Sequence, residues 1–340
     1  MTEIISFTRA DGGQDTWEVE FEPTTQTPQF MTRWALASGG QRFVVRYAMG
    51  GEFAEHLVEN AIRVGLRIWR RYGSEAAYPA ELSRLVGYNV DCERPFVMVA
   101  EHGVPLAELT RPFDPDEHRA FAGGLASGLY LLAYLGVTHR MVRPDSVRWD
   151  AATRRAQITR FDYARLVGTP RLPLASTWAS PEQQAGGGLT DHRDDVWSAG
   201  LAMLSRAIKG VVAGPTGQPD AVASGAPFLA PILDRLFAPV GERPDAGELL
   251  RRMGRAPGSL PALPDDEARF ARASAEYDQL VQLKAGPPPR QQPPPPPPPP
   301  RESTGRFRRK GRVGPPAFAV QPGSSRGLPS WAPPSWEATR

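Results

Sequence analysis

Residues 136–170 read GVTHRMVRPDSVRWDAATRRAQITRFDYARLVGTP, and this stretch decides how the chain is interpreted. Three further segments follow it in the sequence, STWASPEQ at 176–183, DHRDDVWSAG at 191–200 and ERPDAGELL at 242–250. Any one of these segments is only a weak indication of the protein's family. Four of them in this order and at this spacing are a specific indication. The chemistry they carry depends on which side chains stand at the key positions of each segment.

The composition describes a folded body followed by a basic tail. The 340 residues carry a net charge of +3, and residues 286–340 alone contribute +7, which leaves −4 on the first 285. The one cysteine, Cys92, excludes an internal disulfide and a cysteine-based zinc site. A polar N-terminus and the absence of any run of 18 apolar residues predict a cytoplasmic protein without a transmembrane helix.

The order of apolar patterns predicts a β-rich region followed by a helical one. Strand patterns occupy TWEVEFE (16–22), QFMTRWALA (29–37) and RFVVRYA (42–48), and residues 51–73 then have helical spacing and end in a glycine. Two more strand-like runs follow, and from residue 114 onward the patterns are helical. The predicted units are 1–100, 101–260, an amphipathic helix at 264–284 and a disordered Pro-rich, basic tail at 285–340.

The four segments resemble motifs of protein kinases of the Ser/Thr type, including those of bacteria. Residues 136–170 look like a catalytic loop and the start of an activation segment, and the resemblance extends over about residues 15–255. It implies an α+β, two-lobed fold, with a β-rich N-lobe and a helical C-lobe. It also implies bracing roles: Asp195 would hold the catalytic-loop backbone, Glu182 would pair with Arg243, and His139 and Phe161 would be stacked core side chains.

The positions that perform phosphoryl transfer in that family are degenerate here. Arg46 stands where the resemblance requires a lysine, and no lysine precedes Lys209. Met141 replaces the carboxylate that orients the attacking hydroxyl, and it has no strong acceptor for that proton. Ser146 and Arg160 replace the two Mg²⁺ ligands, and a guanidinium would repel the metal ion. The sequence therefore predicts a pseudokinase.

Two possibilities for a remaining ligand site are left open. Arg46 could pair with an acidic residue of the next helix, Glu59 or else Glu55, and line a remnant pocket that binds nucleotide weakly without metal. Asp162 could be a displaced metal ligand. The alternative function is a divergent Ser/Thr kinase, or another ATP-dependent transferase, that uses Asp145 or Asp162. The prediction is otherwise that the protein uses no cofactor or metal.

The tail is predicted to recruit protein partners to a signalling scaffold or regulator. Eight successive prolines at 293–300 favour polyproline II, which proline-binding grooves recognise. The repeated PSW triplets place Trp331 and Trp336 as partner-docking side chains. The basic run at 306–312 could contact nucleic acid or anionic lipid, although it lacks a companion motif.

Overall fold

A computed structural model describes residues 2–38, 40–207 and 211–256, together with Ala275 and Gln279. The first three ranges belong to one compact unit, Met1–Asp266. Ala275 and Gln279 are helical and exposed. The remainder of the predicted 264–284 helix and the whole 285–340 tail lie outside the described residues. In the described part of the chain, no helix is long and apolar enough to cross a membrane.

Six antiparallel strands form a closed barrel in the N-terminal region, in the order β1-β2-β3-β4-β6-β5. Their bounds are β1 Thr2–Arg9, β2 Gln14–Gln26, β3 Phe30–Ala37, β4 Arg42–Ala48, β5 Arg84–Asn89 and β6 Phe96–Ala100. Alternate side chains point inward and fill the barrel with apolar groups, among them Phe7, Val19, Phe43 and Met98. The barrel is thus a packed core of its own.

The prediction of a two-lobed kinase-like fold is wrong, because the strands close into a barrel and the helices are few. The closing strand is β1, which the sequence analysis did not recognise. It pairs with β2 along most of its length, and its end pairs with β5, with Thr8 opposite Tyr88 and Arg9 opposite Gly87. A sheet with both edges joined has no free edge strand.

Helix α1 (Glu52–Tyr72) packs against the barrel after β4. It begins after Gly51, carries Glu52 and Glu55 in its first turn, and ends at Gly73 in the left-handed conformation that glycine adopts freely. Its buried face is apolar and includes Leu57 and Val58, which pack on strands β4, β5 and β6. The helix therefore holds a fixed position beside β4.

Helix α2 (Pro115–Tyr134) is the centre of the second core cluster. Asp114 accepts a hydrogen bond from Glu117 N, and the Glu117 side chain accepts one from Asp114 N, which completes a capping box. At Gly128 a Cβ atom would lie 2.9 Å from Ile158 Cδ1, so a larger residue here would require the Ile158 side chain to move. Within residues 2–256, as far as the structure describes them, the further helices are α3 Pro181–Ala185, α4 Arg193–Ala207, α5 Ala230–Leu233 and α6 Ala246–Arg252.

Short strands and turns on either side of α2 carry most of the predicted site residues. Strands β7 (Val104–Pro105), β9 (Val147–Asp150) and β10 (Arg155–Ile158) form a three-stranded sheet. Strands β8 (Val137–Thr138) and β11 (Arg165–Leu166) pair with each other, and a 3₁₀ turn at Phe161–Tyr163 precedes β11. This turn contacts α1 and so comes close to the end of β4.

Candidate functional site

The site is built around a buried ion pair between Arg46 on β4 and Asp162 in the 3₁₀ turn. Arg46 Nη1 donates to Asp162 Oδ1 at 2.8 Å and to Oδ2 at 2.9 Å. The two side chains are only 4% and 2% exposed. The predicted partner Glu59 is instead exposed on α1, so the predicted Arg46–Glu59 pocket does not form. Both oxygens of the Asp162 carboxylate are engaged by one guanidinium.

Asn60 is the residue of α1 that reaches this turn, and the sequence analysis did not identify it. Its amide Nδ2 donates to Asp162 O at 2.9 Å and to Ala164 O at 2.8 Å. The helix therefore holds the backbone of the 3₁₀ turn, while Arg46 holds its carboxylate. The sequence signal for this contact is an asparagine one position after the expected glutamate. It could not be interpreted from the sequence, because the contact depends on the 3₁₀ turn lying beside α1.

Arg160 occupies the position where a metal-binding aspartate was expected, and it continues the charge network. Its backbone is left-handed, with a φ of 66°, and its Nη1 donates to Asp145 Oδ2 at 2.6 Å. Its Nε lies 3.7 Å from Asp162 Oδ2. Arg143 also donates to Asp145, at 2.7 Å. Charges thus alternate from the barrel into the loop that begins after β8.

A metal ion does not fit this arrangement. Among the described residues, no group of three or more His, Cys, Asp or Glu side chains could hold one. Both oxygens of Asp162, the predicted displaced ligand, accept from Arg46, and Asp145 is held by Arg143 and Arg160. Mg²⁺ requires free carboxylate or carbonyl oxygens in octahedral geometry. A metal ion that used Asp162 or Asp145 would have to compete with these guanidinium groups.

Ser146 and Met141 brace the loop that follows β8. The Ser146 hydroxyl donates to Met141 O and accepts from Arg143 N at 3.0 Å. Both functions of the hydroxyl are therefore used to close the loop on itself. Met141 offers only a thioether, which is a weak acceptor and cannot act as a general base.

His139 is an internal hydrogen-bonding residue. Its Nε2 donates to Thr159 O at 2.8 Å, and its Nδ1 accepts from Met141 N at 3.2 Å. Burial lowers the pKa of His139 to about 4, so the ring is neutral at physiological pH. The ring of Phe161 lies edge-on to it, with the ring centroids 5.5 Å apart. Both side chains are fully enclosed and connect the loop to the 3₁₀ turn.

Asp195 on α4 holds the backbone of the loop that follows β8. Its Oδ2 accepts from His139 N at 2.5 Å, and its Oδ1 accepts from Arg140 N at 2.7 Å. Burial raises the pKa of Asp195 to about 7, although both backbone N–H groups favour the ionised carboxylate and oppose this shift. Arg140 adopts a φ of 68°, which this pair of hydrogen bonds helps to maintain.

Glu182 and Arg243 contact each other beside α4, within a larger charge cluster. Arg243 Nη2 lies 3.2 Å from both carboxylate oxygens of Glu182. Arg243 Nη1 donates to Arg193 O at 2.9 Å and lies 3.9 Å from Asp194. Arg171 pairs with Asp194 through two hydrogen bonds of 2.9 Å. The sequence analysis did not identify Arg171 or Asp194 as members of this cluster.

A further buried ion pair joins Arg148 on β9 to Glu101, the residue after β6. Arg148 Nη1 is 3.2 Å from Glu101 Oε2, and both side chains are nearly fully buried. The Arg148 guanidinium carbon lies 4.9 Å from the ring centroid of Trp34, and that of Arg42 lies 4.4 Å from it. An arginine inside the apolar run VRW (147–149) is the sequence signal that could have pointed to this cluster.

No model of a known protein family matches this chain, and no curated protein matches it either. The candidate docking residues Trp331 and Trp336, and the basic run 306–312, lie outside the described residues.

Proposed function

We propose that the protein is a catalytically inactive signalling scaffold or regulator. The observation that supports this best is the bidentate contact of Arg46 with Asp162. A transferase that uses ATP needs carboxylate oxygens for Mg²⁺ and a cation for the phosphates. Here the cation and the carboxylate that could serve these purposes neutralise each other, in a place that is closed to water.

The charge network around this pair favours the same proposal. Asp145, a second carboxylate near this pair, is held by Arg143 and Arg160. Breaking a buried pair without a replacement leaves an uncompensated charge, which costs about 3–5 kcal/mol. Nucleotide binding that recruits Arg46 or Asp162 would have to supply that free energy.

The cluster at Trp34 adds a steric argument. Trp34 lies on the barrel face that includes Val44, and Arg148 and Arg42 lie over its ring. The remaining Arg148 donors are used by His102 O, at 3.1 Å, and Gly103 O, at 2.6 Å. A planar base could enter this region only by displacing side chains that are already paired.

We expect purified protein to incorporate no labelled phosphate from ATP with Mg²⁺, either into itself or into generic substrates. We also expect ATP, with or without Mg²⁺, to leave the melting temperature unchanged. A ligand at 100 times its dissociation constant would add about 2.7 kcal/mol to the free energy of unfolding, so even modest binding would be detected.

The alternative is an ATP-dependent transferase with an unusual site at Asp145 or Asp162. Phosphate incorporation that disappears in Asp145→Asn, with unchanged melting of the variant, would establish it and refute the proposal. Asp145 is the better position to substitute, because its side chain is 35% exposed and its loss should not unfold the protein. The exposed pair Arg235–Glu242 offers a control, since Glu242→Gln should alter neither signal.

We further propose that residues 285–340 recruit protein partners. A chain that ends at Lys284 retains the whole compact unit Met1–Asp266 and should melt at the same temperature as the full chain. We expect it to lose most of the binding to partners captured by the full chain. The double variant Trp331→Ala, Trp336→Ala should weaken binding with little salt dependence, whereas neutralising 306–312 should remove a salt-sensitive part. Equal capture by the truncated chain would place recognition on residues 1–284.

A further inference from the structure

A buried histidine lies in the first turn of α2, away from the site described above. His118 is 3% exposed, and among the described residues neither of its ring nitrogens makes a hydrogen bond of good geometry. The ring lies between two phenylalanine rings in edge-on geometry, Phe113 at 5.5 Å and Phe228 at 5.3 Å between centroids. A buried polar atom without a partner is costly, about 1–3 kcal/mol, so this arrangement needs an explanation.

The charged groups around this ring are engaged elsewhere. On α2, Glu117 accepts two hydrogen bonds of 2.6 Å from Arg111, and Asp114 caps the helix. On α4, the Arg206 guanidinium donates to two backbone carbonyls and lies over the ring of Phe113. A proton on His118 would therefore find no carboxylate in direct contact.

Burial lowers the pKa of His118 below its ordinary value of 6.5. A backbone contact with Arg206, whose carbonyl also accepts a hydrogen bond from Phe113 N at 3.1 Å, opposes this shift without reversing it. The Arg206 guanidinium adds to the lowering of the pKa, while the carboxylates of Glu117 and Asp114 act against it. The imidazole is consequently neutral at pH 7 and unfavourable to protonate while Phe228 covers it.

Phe228, which packs over His118, belongs to a segment with little regular secondary structure. Phe228 belongs to a 3₁₀ turn, Pro227–Leu229, and remains 53% exposed although it contacts the histidine. Residues 211–226, which precede it, consist of turns and one isolated bridge, between Ala213 and Pro219. Val222 is 63% exposed in this segment. The segment is anchored in the core by Ala221, Ala226 and Leu229, which are small or single contacts compared with a packed helix. A segment without a long helix or strand is typical of one that opens locally at low free energy.

We propose that His118 and Phe228 form an acid-sensitive latch: proton uptake by His118 displaces the Phe228 ring and opens residues 211–229. The open form exposes the imidazolium to water, where its charge is solvated. It also exposes the apolar pocket lined by Phe113. The latch thus couples mildly acidic pH to a new apolar surface at the N-terminal end of α2.

The sign of the effect follows from linkage. The pKa of His118 is lower in the closed form than in the open form, so the open form binds more protons. The closed form is fully stable above the ordinary pKa and loses stability as the pH falls toward the lowered value. Between the two pKa values the opening equilibrium should rise about tenfold per pH unit, as expected for one proton.

The test combines hydrogen exchange of residues 211–229 with histidine ring NMR on the full chain, between pH 7.5 and pH 5. In the unaltered protein we expect protection of this segment to fall about tenfold per unit in the titration range of His118. His118→Phe fills the same slot with a ring that does not titrate, and it should abolish this pH dependence. His56→Gln, at an exposed position on α1, should keep it.

The pKa of Asp195, about 7, also lies between pH 7.5 and pH 5. His118→Phe distinguishes the contributions of His118 and Asp195 to the pH dependence, because this variant retains Asp195. If His118→Phe does not fold, Phe228→Ala provides an independent test, because the exposed ring can be removed with less damage. In that variant the NMR signal of His118 should titrate closer to 6.5 than in the unaltered protein. Protection of 211–229 that stays constant through the titration of His118, or an identical pH dependence in His118→Phe, would refute the latch.

Discussion

Replacing Arg46 by methionine should lower the free energy of unfolding by about 3–5 kcal/mol, the largest effect expected for any single side chain of the site. The substitution keeps much of the side-chain volume and removes the charge. It leaves the buried Asp162 carboxylate with only the Arg160 Nε, 3.7 Å away. Chemical denaturation monitored by tryptophan fluorescence measures the change, and the melting temperature should fall by roughly 10 °C.

Two further variants test whether the effect comes from the burial of the ion pair. Arg46→Met combined with Asp162→Leu replaces the pair by apolar groups. The double variant should recover most of the lost stability, because no unpaired charge is then left buried. Arg235→Met, whose partner Glu242 is 60% exposed, should change stability by less than about 1 kcal/mol. If Arg46→Met is as mild as Arg235→Met, the ion pair is not buried in solution.

The second large effect is expected at Arg243, whose side chain is fully buried. Arg243→Met should cost about 3–5 kcal/mol, because it leaves Glu182 without its partner and removes the donors to Ala238 O and Arg193 O. The same denaturation experiment measures it. Glu182 is the less buried partner, at 22% exposed, so the stability losses on removing each partner can be compared.

Glu182→Ala should be milder than Arg243→Met, at about 1–3 kcal/mol. Arg243 then keeps Asp194, 3.9 Å away, and its backbone acceptors, so its charge is not left alone. Equal losses in the two variants would mean that the Glu182 contact alone accounts for the stability of this cluster. A milder loss in Arg243→Met would contradict the burial on which both expectations rest.

Local patterns identified most helices of the folded body. The helical pattern at 51–73 corresponds to α1 at Glu52–Tyr72, and the helical spacing that begins at residue 114 corresponds to α2 at Pro115–Tyr134. Both are marked by signals within a few residues, such as the glycine after α1 and the Asp114–Glu117 capping box. Such signals act through local backbone geometry, which a single sequence records directly.

The barrel could not be predicted in the same way. Residues 2–9 alternate as a strand should, but nothing in them indicates pairing with residues 84–89 far along the chain. Closure depends on that pairing, which brings together segments with no shared local signal. The four motifs between residues 136 and 250 favoured a two-lobed fold, but they carry no information about the N-terminal strand that closes the barrel.

The sequence by itself determined which side chains are available: no lysine before Lys209, Arg46 in a strand, Met141 in the loop and Arg160 before Phe161. Tertiary structure alone decided their partners. Arg46 binds Asp162 rather than Glu59 because the 3₁₀ turn, held by Asn60, lies against the end of β4. Charge pairing acts over a few ångströms in space and has no period along the chain, so only the folded arrangement selects which carboxylate a buried guanidinium meets.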